Sequence, residues 1–365
     1  MTEVLEKQQP LPRGRGSEGR AEFTCPAPLK PVDRIVLGHG SGGRLSAELL
    51  RDVFLPLFSN PVLNRLEDQA CLDIGGVRVA FTTDSFVVNP LFFPGGDIGS
   101  LAVHGTINDL AMGGARPLFL SAGFILEEGL DMDTLRRVAA SMAQAAAAAG
   151  VAIVTGDTKV VEKGKGDGLF INTTGIGIVP DGICLSASAA RPGDRVILSG
   201  SIGDHGIAIM AKRDGLEFET EITSDSAALH GLVETMLGVS KEIRCMRDPT
   251  RGGVASSLNE IAAQSGVRIQ IEESNIPVRD GVKGACELLG LDPLYVANEG
   301  KLLAIAAPEA AESIVESMRR HPLGHGATII GTVGEKRAGL VIMRTLFGST
   351  RIVDMLAGDQ LPRIC

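Results

Sequence analysis

The chain has 365 residues, a net charge of −9 and a pI near 5.3, which gives room for two domains with separate cores and argues against nucleic acid as the main partner. Hydrophobic residues make up 44 % but aromatics only 4 %, with no Trp and one Tyr, so the cores must be built from Ala, Val, Ile and Leu. No run of about eighteen apolar residues exists, excluding a membrane-spanning helix. Cys25, Cys71, Cys184, Cys245, Cys286 and Cys365 form no C-x-x-C pair, against zinc, iron–sulfur or disulfide-framework readings and for a reducing cytoplasm.

Residues 1–32 are polar, rich in Pro, Gly, Arg and Glu, and lack an apolar stretch of signal-peptide type; they are expected to form a disordered leader. Residues 33–185 read as a first alternating α/β block. Arg44–Phe54 has helical spacing, Val77–Thr83 reads as a strand and the region around Ile98–Met112 as a helix. Pro117–Leu126 is strand-like, and Asp131–Ala149 is an Ala-rich helix with Asp131 placed to cap it. Val151–Thr155 and Leu169–Val179 follow as β-branched strands.

Arg191-Pro192-Gly193-Asp194 is a turn signal near the expected domain boundary. A second block over 186–345 has strands at Arg195–Ser199, Val267–Ile271, Lys301–Ala306, Thr328–Val333 and Gly339–Met343. Helical patterns fall at His205–Lys212, Ser226–Leu237, Gly253–Gln264, Val282–Leu289 and Pro308–Arg319. From Leu346 the pattern dissolves, and 346–365 reads as a mobile tail in which Gly358-Asp359-Gln360 precedes Leu361-Pro362-Arg363-Ile364-Cys365. A thiol on such an arm suits a cysteine that enters a pocket, is modified and withdraws.

Short acidic motifs beside glycines fall at element ends: Glu67-Asp68-Gln69-Ala70, Thr82-Thr83-Asp84, Asn108-Asp109, Thr155-Gly156-Asp157-Thr158-Lys159 and Asp248-Pro249-Thr250-Arg251-Gly252-Gly253. Each Asp alone reads as a cap or turn residue. Five such motifs together suit Mg²⁺, which takes oxygen ligands and commonly bridges the phosphates of a nucleotide. A P-loop is absent, as is a G-x-G-x-x-G following a strand. Gly38-His39-Gly40-Ser41-Gly42-Gly43, with a helix directly after it, remains able to cradle phosphate through Gly40 and Gly42, with His39 beside it. The other histidines lack metal-ligand spacing.

In their order these motifs resemble the ATP-dependent superfamily of aminoimidazole ribonucleotide synthetase and selenophosphate synthetase, and the closing Pro-Arg-Ile-Cys narrows the resemblance to the HypE family of hydrogenase-maturation carbamoyl dehydratases. It covers roughly residues 33–365, with Gln69 standing where a small residue is expected. The resemblance implies two α/β (α+β) domains of the aminoimidazole ribonucleotide synthetase type, the first forming the core of a homodimer. It implies a carbamoyl group received on Cys365 from the carbamoyltransferase HypF, dehydrated with ATP and Mg²⁺ to a thiocyanate, and passed as cyanide to the HypC–HypD scaffold for the iron of [NiFe]-hydrogenase. By the same resemblance Asp68, Asp109 and Asp248 bind metal, and Asp84, Asp109 and Thr155-Gly156-Asp157 meet nucleotide. Lys159 and Glu299 are the candidate proton acceptors, Lys159 serving equally well as a phosphate-neutralising charge. The α-carboxylate of Cys365 opposes a thiolate there, and Arg363 is placed to compensate. A different metabolite synthetase of the superfamily, or a docking protein whose tail only binds a partner, are the competing readings.

Overall fold

The computed structural model describes residues 34–216, 222–335, 339–356 and 363–365; the expected leader, 1–32, lies outside them. Residues 36–365 form one compact unit. It opens with α1 (Arg44–Leu49), a π-helical stretch and α2 (Leu55–Phe58). The hairpin β1 (Ala70–Ile74) and β2 (Val77–Phe86) follows, turned by Gly75 and Gly76 at φ of 63° and 85°, a conformation that glycine reaches without strain. Next come the short pair β3 (Phe92–Phe93) and β4 (Gly96–Asp97), then α3 (Ile98–Met112), β5 (Arg116–Glu127), α4 (Met132–Ala148), β6 (Ala152–Val161) and β7 (Leu169–Ile178). Asp131 accepts a hydrogen bond from Thr134 N–H at 2.9 Å, as expected of the α4 cap.

These strands make a five-stranded sheet, β1-β2-β7-β5-β6, antiparallel except for the parallel β5–β6 edge. Its inner face packs Phe86, Leu120, Leu169 and Ile171 against α3 and α4. α3 is apolar on nearly every side because it is covered all round: Asn108 near its end donates to the Ala227 and Glu299 carbonyls at 3.1 and 3.2 Å. The outer face is left open. Phe81, Ile176 and Phe119 line up across β2, β7 and β5, and all are exposed. Edge strand β6 is exposed along nearly its whole length.

The second sheet has seven strands: β8 (Arg195–Leu198), β9 (Ile243–Arg247), β10 (Arg268–Glu272), β11 (Leu303–Ala306), β12 (Thr328–Val333), β13 (Leu340–Arg344) and β14 (Thr350–Ile352). Their order is β14-β13-β10-β12-β8-β11-β9. α7 (Gly253–Ser265) covers one face, and α6 (His230–Val239) with α9 (Pro308–Arg319) covers the other. α5 (Asp204–Asp214) and α8 (Asp280–Leu289) instead join the core of the first sheet. The Arg191–Asp194 turn falls between the two sheets.

Two expectations change. The helix expected from Ser226 begins at His230, because Ser224, Asp225 and Ser226 spend their side chains on distant partners instead of on capping. The tail expected from Leu346 is partly folded: β14 pairs with β13, and Val353 N–H donates to the Val341 carbonyl at 2.9 Å.

Gly175, on the inner face of β7, has room for no side chain: an added Cβ would lie 2.8 and 2.9 Å from Thr106 and Leu110 of α3. Gly175→Ala should therefore destabilise the fold by about 1–3 kcal/mol. Equilibrium urea unfolding would register this as a lower midpoint at unchanged slope.

Candidate active site

A cavity of about 220 Å³ opens where the two sheets meet, lined by Gly42, Asp68, Thr83, Asp84, Gly105, Asp109, Arg247, Asp248, Thr250, Arg251, Ser256, Ser257, Glu260, Glu299 and Cys365. Each wall has a local reason. Asp84 sits near the end of β2, where the strand places it on the inner face beside Gly105 of α3. Asp109, one α3 residue on from Asn108, accepts from the Thr82 hydroxyl at 2.9 Å. Asp68 receives the Arg247 guanidinium, which also lies 3.4 Å from Glu260. Asp248 begins the turn into α7, and Gly252 and Gly253 reach φ of 79° and 60° there. Gly42, at φ 72°, lies so close to that turn that a Cβ would meet the Arg251 carbonyl at 2.6 Å.

The chemistry of the wall is dominated by buried negative charge. Burial raises Asp109 well above the usual carboxylate range, and Asp248, Asp84 and Asp68 push it further. Burial, then Asp68, lifts Asp248 to about 8. Burial raises Asp68 and Asp84 too, against the pull of Arg247 and Arg251 respectively. Glu299 is raised well above its ordinary value by burial, then by Asp248, Asp84 and Asp225. Among the described residues its Oε1 has no hydrogen-bond partner, and neither has the buried Ser256 hydroxyl in the first turn of α7. Two cations oppose this charge: Arg251, 3.9 Å from Asp84, and Arg247.

This donor set fits a hard cation. All its ligating atoms are oxygens, and the surplus buried carboxylate is what a divalent ion would neutralise. Among the described residues no three His, Cys, Asp or Glu side chains form a ready-made metal cluster, so Asp68, Asp109 and Asp248 share a cavity without being closed around a point. The N-terminus of α7, with Ser256 and Arg251 beside it, is in turn suited to phosphate.

Cys365 is 7 % exposed and packs with the core of the first sheet, as does Ile364 at 4 %. The Cys365 and Arg363 carbonyls accept from Val87 and Asn89 N–H at 3.0 and 3.2 Å, so the last residues pair with the chain just beyond β2. Burial pushes the Cys365 thiol up to about 12, with Arg251 opposing. Arg363 does not compensate this thiol as expected. Its guanidinium reaches the Val87 carbonyl at 3.0 Å, pairs with Asp167 and lies over Phe170. Arg251 is the cation beside the sulfur.

Of the residues singled out from the sequence, Asp68, Asp84, Asp109, Asp248, Glu299, Cys365 and Gly42 converge. Gly40 is exposed and lines no part of the cavity, and His39 accepts from Val36 N–H at 3.0 Å. Thr155, Gly156, Asp157 and Lys159 lie on exposed β6, outside the cavity. There Lys159 pairs with Asp157 at 2.7 Å, each side chain 69 % exposed. Arg247, Arg251, Ser256 and Glu260 were missed. Arg251 lay inside a quoted motif, whereas nothing in Ile243-Arg244-Cys245-Met246-Arg247 marks its last Arg as a buried counter-ion.

Two family models cover the chain: AIR synthase related protein, N-terminal domain, over residues 66–179, and AIR synthase related protein, C-terminal domain, over 191–343. The carbamoyl dehydratase HypE of Azotobacter vinelandii is 61 % identical over 90 % of this chain and 96 % of its own length. A crystal structure of a HypE–HypF complex matches at TM-score 0.80 and 50 % identity, over 84 % of this chain and 99 % of that one. A HypE structure in complex with ATP matches at TM-score 0.77 and 54 % identity, over 90 % and 98 %. The fold is that of the AIR synthase related proteins. Within that class the chain belongs to the HypE family of hydrogenase-maturation carbamoyl dehydratases.

Asp248→Asn removes a buried carboxyl that the fold must keep protonated at neutral pH. Asp248 titrates near 8 in the fold against an ordinary 3.8, so the metal-free protein loses stability as pH rises between those values. Near neutral pH the metal-free variant should therefore be more stable than the native chain by about 1–2 kcal/mol. Calorimetry with chelator should show this advantage vanish as pH falls towards 4.

Proposed function

We propose that the protein dehydrates an S-carbamoyl group on its own Cys365, at the expense of ATP, to a thiocyanate that supplies a cyanide ligand for [NiFe]-hydrogenase iron. The observation that carries this reading is the position of Cys365, buried in the wall of the same cavity as Asp84, Asp248, Arg251 and Glu299. A carbamoyl group on that sulfur would sit among groups able to bind phosphate and exchange protons.

The carbonyl oxygen of a carbamoyl group is a poor leaving group, so it must be activated. Attack of that oxygen on the γ-phosphorus forms an O–P bond and releases ADP. Breaking the C–O bond then expels phosphate while nitrogen loses both protons, leaving S–C≡N. The oxygen leaves within phosphate, and the tail becomes lighter by one water. Arg251 and the α7 N-terminus would hold the transferring phosphoryl group. Glu299, a carboxyl on the wall beside Cys365, would accept protons from nitrogen in its ionised form. Mg²⁺, held by Asp68, Asp109 and Asp248 with Asp84 towards the nucleotide, would offset phosphate charge.

The buried thiol also implies an order of events. A thiol held near 12 is protonated and a weak nucleophile, so carbamoylation belongs to the withdrawn tail and dehydration to the docked one. The donor would be a HypF carbamoyltransferase, as in the matched complex, and the cyanide acceptor a HypC–HypD scaffold.

Thr155, Gly156, Asp157 and Lys159 are assigned to the site of a second subunit. Thr155, Asp157 and Lys159 share the outer face of the first sheet with the exposed row Phe81, Ile176 and Phe119, while Gly156 stands opposite inward-facing Ala122; that apolar outer surface is one a homodimer would cover. Residues 33–185 would then form the dimer core and 186–345 the outer domain.

Intact-mass measurement after carbamoylation should show loss of one water from the Cys365 peptide only with ATP and Mg²⁺; an unchanged mass rejects the dehydratase reading. Cys365→Ala should abolish this chemistry while ATP affinity, read by calorimetry, changes less than about threefold. Lys159→Ala alone should be inactive and mixed Cys365→Ala and Lys159→Ala subunits should recover about a quarter of native turnover if the site is shared across a two-fold; Lys159→Ala chains that stay active alone, giving about half in the mixture, reject the shared site.

A further inference from the structure

The segment 222–229 has no regular structure, yet its polar side chains are committed one by one. The Ser224 hydroxyl lies 2.7 Å from His205 Nδ1, and His205 Nε2 lies 2.7 Å from the Ile364 carbonyl. A carbonyl only accepts, so Nε2 carries the proton and Nδ1 accepts from Ser224. Ser224 is itself fixed, donating its N–H to the Pro94 carbonyl at 2.8 Å. The Asp225 carboxylate accepts from Glu299 N–H at 3.1 Å, Gly300 N–H at 3.3 Å and Lys301 Nζ at 3.0 Å. The Asp225 carbonyl leaves no space at Gly300 for a Cβ. Two residues on, Ala227 N–H donates to the Glu299 carbonyl at 3.3 Å. Consecutive residues thus hold, on one side, the carbonyl next to Cys365 and, on the other, the backbone that carries Glu299.

We propose that Ser224-Asp225 is a positioning splint, which sets the Cys365 sulfur in register with Glu299 by gripping the tail through His205 and the Glu299 loop directly. The inference rests on the reading of Cys365 as carrier and Glu299 as proton acceptor. Neither Ser224, Asp225 nor His205 lines the cavity, so none of the three is placed to take part in bond making. They act on geometry, and misplacement of reacting groups by a fraction of an ångström is enough to slow a reaction. The two contacts are separable. Ser224 and His205 govern where the tail lies, and Asp225 governs where Glu299 lies.

The test uses the full chain and two readouts. Docking is read from the rate at which N-ethylmaleimide labels Cys365, by mass of its peptide, with buried Cys245 and Cys286 reporting any general loosening. Register is read from single-turnover water loss by chain carbamoylated with cyanate, at saturating ATP and Mg²⁺. Ser224→Ala and His205→Ala should speed Cys365 labelling about fivefold, the worth of one net hydrogen bond, with Cys245 and Cys286 still protected. His205→Gln, whose amide can still donate to the Ile364 carbonyl, should restore slow labelling. Asp225→Asn should leave labelling as in the native chain but slow water loss about tenfold. Unchanged labelling in Ser224→Ala and His205→Ala overturns the splint, as does equal labelling of Cys245 and Cys286 in every variant. If the native chain labels as described yet loses no water, the dehydratase reading fails, and the labelling results alone judge whether Ser224 and His205 hold the tail.

Discussion

The site is built around buried carboxylates that outnumber their counter-ions. Asp68, Asp84, Asp109, Asp248 and Glu299 face one small cavity, opposed by Arg247 and Arg251. Desolvating that much negative charge works against folding, and the upward shifts of these groups record the conflict. A bound divalent cation would relieve that surplus. The surrounding fold can carry the load because α3 and α7, which supply two of the walls, are among the most deeply buried helices in the chain.

The two arginines divide the task. Arg247 is locked between Asp68 and Glu260 and reaches the Leu66 carbonyl at 2.7 Å, so its charge is spent on structure. Burial opposes its charge, but Asp68, Glu260 and Glu67 outweigh that and hold it protonated. Arg251 is looser. The Cys365 thiolate, were it formed, is the largest influence raising it, ahead of Asp84 and Glu299. Its charge is therefore shared between the sulfur and the carboxylates of the wall.

Much of this was legible in the residues. Four of the five acidic motifs meet at the cavity, because Asp beside Gly at an element end is a pattern whose chemistry and backbone geometry agree. Placement was less legible. Thr155–Lys159 carries the same kind of motif but lies on β6, outside that cavity, since one strand's position at a sheet edge is decided by long-range pairing that no local motif records. Ser226 looked like the start of a helix, since a serine side chain caps helices and clasps remote residues equally well, here His104. Arg251 stood in plain view within its motif, but only the fold shows that it faces a thiol 114 positions later in the chain.

Ile364 and Cys365 belong to the core, and Cys365 also to the rim of the cavity. Ile364 buries a full side chain, worth about 1.5–3 kcal/mol. Main-chain and guanidinium hydrogen bonds from Val87, Asn89, His205, Arg213 and Arg363 add about 0.5–1.5 kcal/mol each. Ordering the backbone of Arg363, Ile364 and Cys365 costs about 1–2 kcal/mol per residue, with side-chain freedom lost besides. Gain and cost are of the same size, so the docked state is defined in geometry but shallow in energy. For the proposed carrier role that balance is what is required: a deeper seat would hold the thiol protonated and out of a donor's reach, and a weaker one would leave it outside the wall where Asp84, Glu299 and Arg251 meet.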